Sequence, residues 1–471
     1  MASEVLSGVP QTKPTSVRHA LRQVAASAVA CSNHHLGSLM THLVIDGSGP
    51  DRATAVHFRN LHATGSERLI RQWMAESLEK AAKAGSYSPL EVVSDVVIVD
   101  ITHTVTSGAR SGIQRVSLNL VRDLTDMCEV VVVHWNDLTN TFKRVRVDFS
   151  DDEMGDFGVS WREDNGASIL PLKCRYFLPE VVPELGRLQA IEHHINSGVF
   201  ESTTSIIYDL IPVRHPEFVE EGTEAWFSAY LDLIGHFSTL VPISESSEDE
   251  LNEWFTSQDR EFSDSTVLTL PLPKAPLVER EPTGHLRANS EVAPDRGPHV
   301  KRVVIVGSFE PRKNQIRSIR ACERLWRAGH EFEVVLVGSG GWSEDSVVRC
   351  VKVLSDAGRR ISVRKRVPDE ELVALLESAA AVMYVSLAEG FGLPIAEVRA
   401  LGVPLVTTRV PAVEELSDEA IVLVDPYNSE EIAGGLLEAM GHTRTVRPSW
   451  VESSGAWRAY AQSLWHIIEA G

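Results

Sequence analysis

From about Glu91 onward, short apolar and β-branched runs alternate with longer stretches whose apolar positions recur every three or four residues. Strand-length runs lie at 96–99, 130–134, 205–208 and 240–243. Over 114–124, Val116, Leu120, Val121 and Leu124 fall on one helical face. Strands separated by amphipathic helices build βαβ units around a parallel sheet, so 91–280 reads as one doubly wound domain. The periodicity stops between 279 and 298, where Pro282, Gly284, Pro294, Gly297 and Pro298 mark a linker, placed at 281–299. A second alternation follows, with strands expected at 302–306, 333–337, 361–364, 381–385, 404–407 and 421–424, and it defines a domain over 300–447. Beyond Pro448, Ser449 and Trp450 introduce a stretch with Trp457, Tyr460, Leu464 and Ile467 at helical spacing, which predicts a final helix within 448–471 that packs across a domain boundary. The expected fold class is α/β: two doubly wound, Rossmann-like domains facing a central cleft.

Length fits that organisation, since 471 residues exceed one ordinary core. The 65 acids outnumber the 45 Lys and Arg, a formal charge of −20, which disfavours a nucleic-acid binder. An anionic ligand must therefore meet a local cluster of cations. Cys31, Cys128, Cys174, Cys322 and Cys350 are widely spaced with no Cys-x-x-Cys pair, which fits a reducing compartment and no structural zinc. No apolar run approaches the roughly 20 residues of a membrane span, so a cytoplasmic protein is expected. Residues 1–90 form an extension. Within it, 5–45 holds no acid but carries Lys13, Arg18 and Arg22, while the apolar run at 24–30 is too short and too diluted by small residues for an export signal. The expectation is a flexible segment with room for peripheral contact at the inner membrane face.

The richest chemistry follows the strand at 381–385. There Ser386 and Glu389 precede Gly390, Phe391, Gly392, Leu393 and Pro394, with Glu397 three residues on. Pro394 suits a first helical turn and Gly402 a C-terminal stop, so a helix is expected over 394–401. Glycines ahead of a helix start expose backbone N–H groups that, with the helix dipole, suit a phosphate at the C-terminal edge of a parallel sheet. Glu389 in the loop and Glu397 in the first turn are poor phosphate ligands but good acceptors for sugar hydroxyls. The alternative is that Glu397 only complements the helix dipole and Glu389 is solvated. Two glutamates spaced by seven residues around Gly-Phe-Gly resemble the signature of GT-B retaining glycosyltransferases, in particular glycosyltransferase family four, the group 1 glycosyl transferases. The resemblance covers the C-terminal half.

That resemblance implies a nucleoside diphosphate sugar as donor and no further cofactor. After the strand at 302–306 come Gly307, Ser308, Glu310, Arg312, Lys313 and Asn314. An Arg-Lys pair alone is ordinarily solvated surface, but in the family the lysine contacts the donor phosphates, so Lys313 and Arg312 are expected to neutralise the leaving diphosphate. Ser308 stands where many members carry an arginine. Gly338 opens a turn, without G-x-G-x-x-G spacing, and Arg366 and Val367 would contact the base through their backbone. In the first domain, Gly112 and Ile113 resemble the family's Gly-Ile-x-Arg segment, with Gln114 and Arg115 completing it. Tyr208 occupies the place of a common histidine, leaving Asp209 to orient the acceptor hydroxyl. Ser244 either lines the cleft or caps a helix.

The expected reaction is transfer of a hexose, mannose favoured, with retention of configuration, Glu389 holding the hexose and Glu397 the ribose. GDP-mannose is favoured over a UDP-sugar as donor, and a saccharide or lipid-linked saccharide is the expected acceptor in polysaccharide or glycolipid assembly. The rivals are a phosphorylase, for which no pyridoxal-lysine segment is present, and a non-catalytic nucleotide-sugar-binding or scaffold protein of the same fold. The pairs His34-His35 and His193-His194 lack partners at metal spacing, so no metal is expected.

Overall fold

The computed structural model describes residues 17–30, 33–46, 49–50, 52–84, 89–107, 111–150, 158–258, 265–275, 300–338, 340–409, 420–444, 452 and 455–471. The expected linker at 281–299, Lys13 and the Pro448 to Trp450 segment lie outside them. Within the described part, the N-terminal extension is folded rather than flexible. It forms α1 (Val17–Ala30), α2 (His34–Asp46), α3 (Arg52–Ala63) and α4 (Glu67–Ala84). Ala25, Ala28, Phe58, Ile70 and Met74 bury one another in a small core. Leu36 and Leu39 of α2 seat on Leu170, Leu172 and Val199 of the first domain. The 24–30 run contributes only Ala25 and Ala28 to that core, and the larger side chains come from α3 and α4.

The first domain is built on β1 (Leu90–Ser94), β2 (Val97–Asp100), β3 (Val130–Asn136), β4 (Thr141–Ser150), β5 (Gly158–Leu172), β6 (Cys174–Leu178), β7 (Phe200–Ile207), β8 (Thr239–Pro242) and β9 (Thr266–Val267). These run in the order β1-β5-β4-β3-β2-β6-β7-β8-β9. From β3 through β9 the pairing is parallel. All four residues of β2 are buried, as a strand covered on both faces requires. The sheet is mixed at its other end, where β4 pairs antiparallel with β3 and β5. Phe142, Val145 and Val147 lie in this antiparallel segment, with a register shift between Lys143 and Val145. Helices α5 (Thr102–Thr106), α6 (Gly112–Met127), α7 (Leu185–Ser197), α8 (Ile211–Arg214), α9 (Thr223–Ile234) and α10 (Glu245–Ser257) connect or flank the strands.

The second domain alternates β10 (Lys301–Val306), α11 (Gln315–Arg327), β11 (Phe332–Val337), α12 (Glu344–Asp356), β12 (Ile361–Arg364), α13 (Asp369–Glu377), β13 (Ala381–Tyr384), α14 (Leu393–Ala400), β14 (Leu405–Thr408), β15 (Ile421–Val424) and α15 (Ser429–Gly441). Every pairing in the order β12-β11-β10-β13-β14-β15 is parallel. Adjacent β10 and β13 hand the chain on in opposite directions, which opens a crevice beyond their C-terminal ends. A last helix, α16 (Gly455–Ala470), turns back onto the first domain. Its Trp457, Tyr460, Leu464 and Ile468 share a core with Val116, Leu120 and Leu124 of α6, and Arg458 pairs with Asp126 at 2.8 Å. No described helix is long and apolar enough to cross a membrane.

Candidate functional site

The loops after β10 and β13 meet at the switch point, and their backbones are joined where the Leu387 N–H donates to the Arg312 carbonyl at 2.7 Å. Pro311–Lys313 winds into a single 3₁₀ turn, ended by Asn314 at φ 56°. That turn aims both cations at the β13 loop. Lys313 Nζ donates to Glu389 Oε1 at 2.6 Å and to the Tyr384 hydroxyl at 2.9 Å. Arg312 Nη1 reaches Glu389 Oε2 at 3.4 Å, and its Nε donates to Glu310 Oε2 at 2.8 Å. Glu310 also accepts the Ser308 hydroxyl at 2.6 Å, so Ser308 acts here through Glu310.

Exposure decides how strongly these charges are coupled. The Glu389 and Lys313 side chains are only 7% and 9% exposed, so water screens the pair poorly. Burial alone would raise the Glu389 carboxyl, but Lys313 and Arg312 outweigh it and hold it at about 2. Burial and the neighbouring Arg312 pull Lys313 down, while Glu389 opposes them. Burial likewise pushes Tyr384 well up, Glu389 adding to the effect. Arg312 and Lys313 face Glu310 and Glu389, so two cations meet two carboxylates, and Glu389 occupies donors of both cations.

Glycine geometry shapes the rest. Gly392 at φ 84° starts α14 one residue earlier than the sequence suggested, at Leu393 with Pro394 next. The earlier start places Glu397 beyond the first turn, which corrects its expected position. Gly390, Phe391 and Gly392 have no acceptor for their N–H groups among the described residues. That turn is pressed against the first domain: a Cβ on Gly390 would stand 2.8 Å from Asp209 Cβ, and the Ser244 hydroxyl donates to the Gly390 carbonyl at 3.2 Å. Ser244 also accepts the Ser247 N–H at 3.1 Å as the cap of α10, so it both caps a helix and faces the cleft. Burial raises the Asp209 carboxyl, with Arg312 working against that.

Across the cleft Gly112 approaches Leu393, its would-be Cβ 3.5 Å from Leu393 Cδ1, and Ile113 is partly buried against the shared core. Arg115 Nη2 pairs with Glu397 Oε1 at 2.9 Å and ties the two domains. Arg110, earlier in that segment, lies outside the described residues. Gly338 is essential to the backbone, because a Cβ there would fall 2.0 Å from the Gly307 carbonyl oxygen. Arg366, at φ 51°, is exposed, with Val367 partly buried beside it, and neither joins the ion cluster. Tyr208 is turned away: its hydroxyl donates to the Pro179 carbonyl at 2.7 Å within the core. Sequence reasoning did not single out Tyr384 or Glu310. Tyr384 ends the strand ahead of the glutamate loop and Glu310 is two residues from Arg312, and those positions were the available signals.

Two parallel-sheet domains, a switch-point cation pair and a glycine-turned helix start define the class: the chain has the fold of GT-B glycosyltransferases. Residues 293–452 match the family model of glycosyl transferases group 1. Among curated relatives, the serotype-specific mannosyltransferase WbdA of Escherichia coli is 24% identical over 385 residues, covering 78% of this chain and 46% of that protein. O-antigen chain mannosyltransferase B of Escherichia coli is 32% identical over 136 residues, 29% of this chain and 35% of that protein. The chain thus spans less than half the length of these relatives. The solved structure of Anabaena Alr3699/HepE in complex with UDP and glucose aligns with a TM-score of 0.51 at 13% identity, over 80% of this chain and 100% of that one. Among the described residues no group of three or more His, Cys, Asp or Glu is placed to hold a metal ion.

Proposed function

We propose that this chain transfers a hexosyl group, mannose favoured, from a nucleoside diphosphate sugar to a hydroxyl of a saccharide or lipid-linked acceptor, with retention of configuration. Residues 91–280 would present the acceptor and 300–447 the donor, in polysaccharide or glycolipid assembly at the cytoplasmic face of a membrane. The observation that carries this reading is the pairing of Lys313 and Arg312 with Glu389 beside the Gly390–Gly392 turn.

Arg312, Lys313 and the N–H groups of Gly390, Phe391, Gly392 and Leu393 hold the diphosphate and stabilise the charge that develops on it as it leaves. Glu397 accepts from the ribose and Glu389 from the hexose, while Gly338, Arg366 and Val367 line the nucleoside end and Gly112 and Ile113 close over the diphosphate. Asp209 orients the acceptor hydroxyl. The bond from the anomeric carbon to phosphate breaks as that carbon bonds to the acceptor oxygen on the same face, and the hydroxyl proton passes to the departing phosphate. Two protein cations supply the positive charge, so activity persists under chelation. Mannose is favoured because the curated relatives named above bear mannosyltransferase names, and the lean to GDP-mannose rests on the resemblance of Arg312-Lys313-Asn314 and Gly112-Ile113-Gln114-Arg115 to mannosyl-transferring members.

A panel of GDP-, UDP-, ADP- and dTDP-sugars tests the reading. Transfer or slow hydrolysis from GDP-mannose is expected, with an axial anomeric product by NMR. No release from any donor would leave the non-catalytic binding reading in its place.

A further inference from the structure

Away from the donor site, a cavity of about 510 Å3 lies between the N-terminal helices and α7, with the end of β3 in its wall. Three side chains lining it carry buried polar atoms without a hydrogen-bond partner among the described residues: the Ser38 hydroxyl, the Trp135 indole N–H and His193 Nε2. Ser38 and Trp135 are 1% and 4% exposed, too buried for bulk water to satisfy them. Buried polar groups in folded proteins are nearly always paired, and three orphans on one cavity call for a ligand with several hydroxyls or amides. The charge on the lining points the same way. Burial and the neighbouring His194 push His193 down to about 3, so its ring is neutral, and the lining carries one Arg, Arg59, and one carboxylate, Glu192. The amides of Asn140 and Gln189 complete a neutral, hydrogen-bonding surface of the size that takes a small organic ligand.

Location ties the cavity to the acceptor side. Gly186 in its wall stands two residues beyond Glu184, which pairs with His103 at 3.6 Å in the segment leading toward Gly112. Resting on the function proposed above, we infer that this cavity is a second saccharide site, which holds sugar units of the acceptor glycan remote from the hydroxyl that receives the hexose. The folded extension is then one wall of an acceptor-binding surface.

Calorimetry and saturation-transfer NMR on the full chain, with α-linked manno-, gluco- and galacto-oligosaccharides of increasing length and no donor, test this directly. Two variants accompany the native protein. Trp135→Phe keeps an aromatic ring and removes the N–H, and Val56→Trp fills the cavity from a position 41% exposed on α3. At least one oligosaccharide series should saturate the native protein. Trp135→Phe should weaken that binding about two- to tenfold, the worth of one hydrogen bond, and Val56→Trp by about tenfold or more. In assays, KM for long acceptors should rise in both variants while donor hydrolysis stays unchanged. Saturable binding that both variants retain overturns the inference, as does the absence of saturable binding to any of these oligosaccharides. Because binding is read without donor, failure here is distinct from failure of the transferase reading, which shows as absent donor turnover in the native protein.

Discussion

Glu389 is the residue on which the proposed donor site turns, because it accepts from both Lys313 and Arg312, the donors that a phosphate would need there. On the proposed function, Glu389→Gln should therefore bind the free nucleoside diphosphate more tightly than the native protein, by calorimetry, yet turn over more slowly, because the proposed hexose contact would be lost. Tighter binding with unchanged turnover would remove Glu389 from the sugar. Its ionisation has a second consequence. The folded carboxyl sits at about 2, below its ordinary 4.5, so the ion cluster contributes stability that is fully present above about pH 4.5 and is lost as pH falls toward 2. Denaturant midpoints of native and Glu389→Gln should differ at neutral pH and converge as pH falls to about 2. Lys313→Ala removes a charge-stabilising donor and should lower kcat by about 10²–10³-fold, the scale seen for single oxyanion-hole donors. A loss under about threefold would place the diphosphate elsewhere.

At the level of elements, the site is made by two turns that approach as backbones, and glycine is what lets them. Gly338→Ala would drive a Cβ into the Gly307 carbonyl and should cost about 1–3 kcal/mol, the range for overpacking, measured by chemical denaturation. Gly390→Ala meets Asp209 of the other domain instead, so it should weaken nucleotide-driven closure and activity while leaving each domain's own stability near native. The strands that set these turns were legible because β-branched runs and glycine punctuation report on a few consecutive residues. Strands 361–364 and 421–424 end where the sequence put them. The β4–β5 hairpin was not singled out, although its partners lie as close in the chain as Ser150 and Gly158; a register shift between Lys143 and Val145 breaks its alternation. Arg115 with Glu397 and Asp209 with Gly390 escaped for a different reason, because their partners are far apart in the chain. Sequence placed each residue on its own helix or loop, but which of these face each other is set by the docking of two domains.

The whole molecule is held by a core that ignores the domain division. α16 lays Leu464 and Ile468, both fully buried, against α6 of the first domain, so the two domains should not unfold independently. Leu464→Ala should destabilise by about 2–5 kcal/mol, with tryptophan fluorescence and far-UV dichroism moving in one shared transition. Two separated transitions in the variant would show that α16 only rests on the surface.

The return of α16 also bears on how the chain is made. The helix that covers Val116, Leu120 and Leu124 is translated roughly 330 residues after them, and contacts of such separation close late and slowly. Throughout synthesis the first domain carries an uncovered apolar stripe of the kind that chaperones bind and that drives aggregation when they are scarce. Yield in a heterologous host should then respond to chaperone supply and growth temperature more than to changes at the donor site.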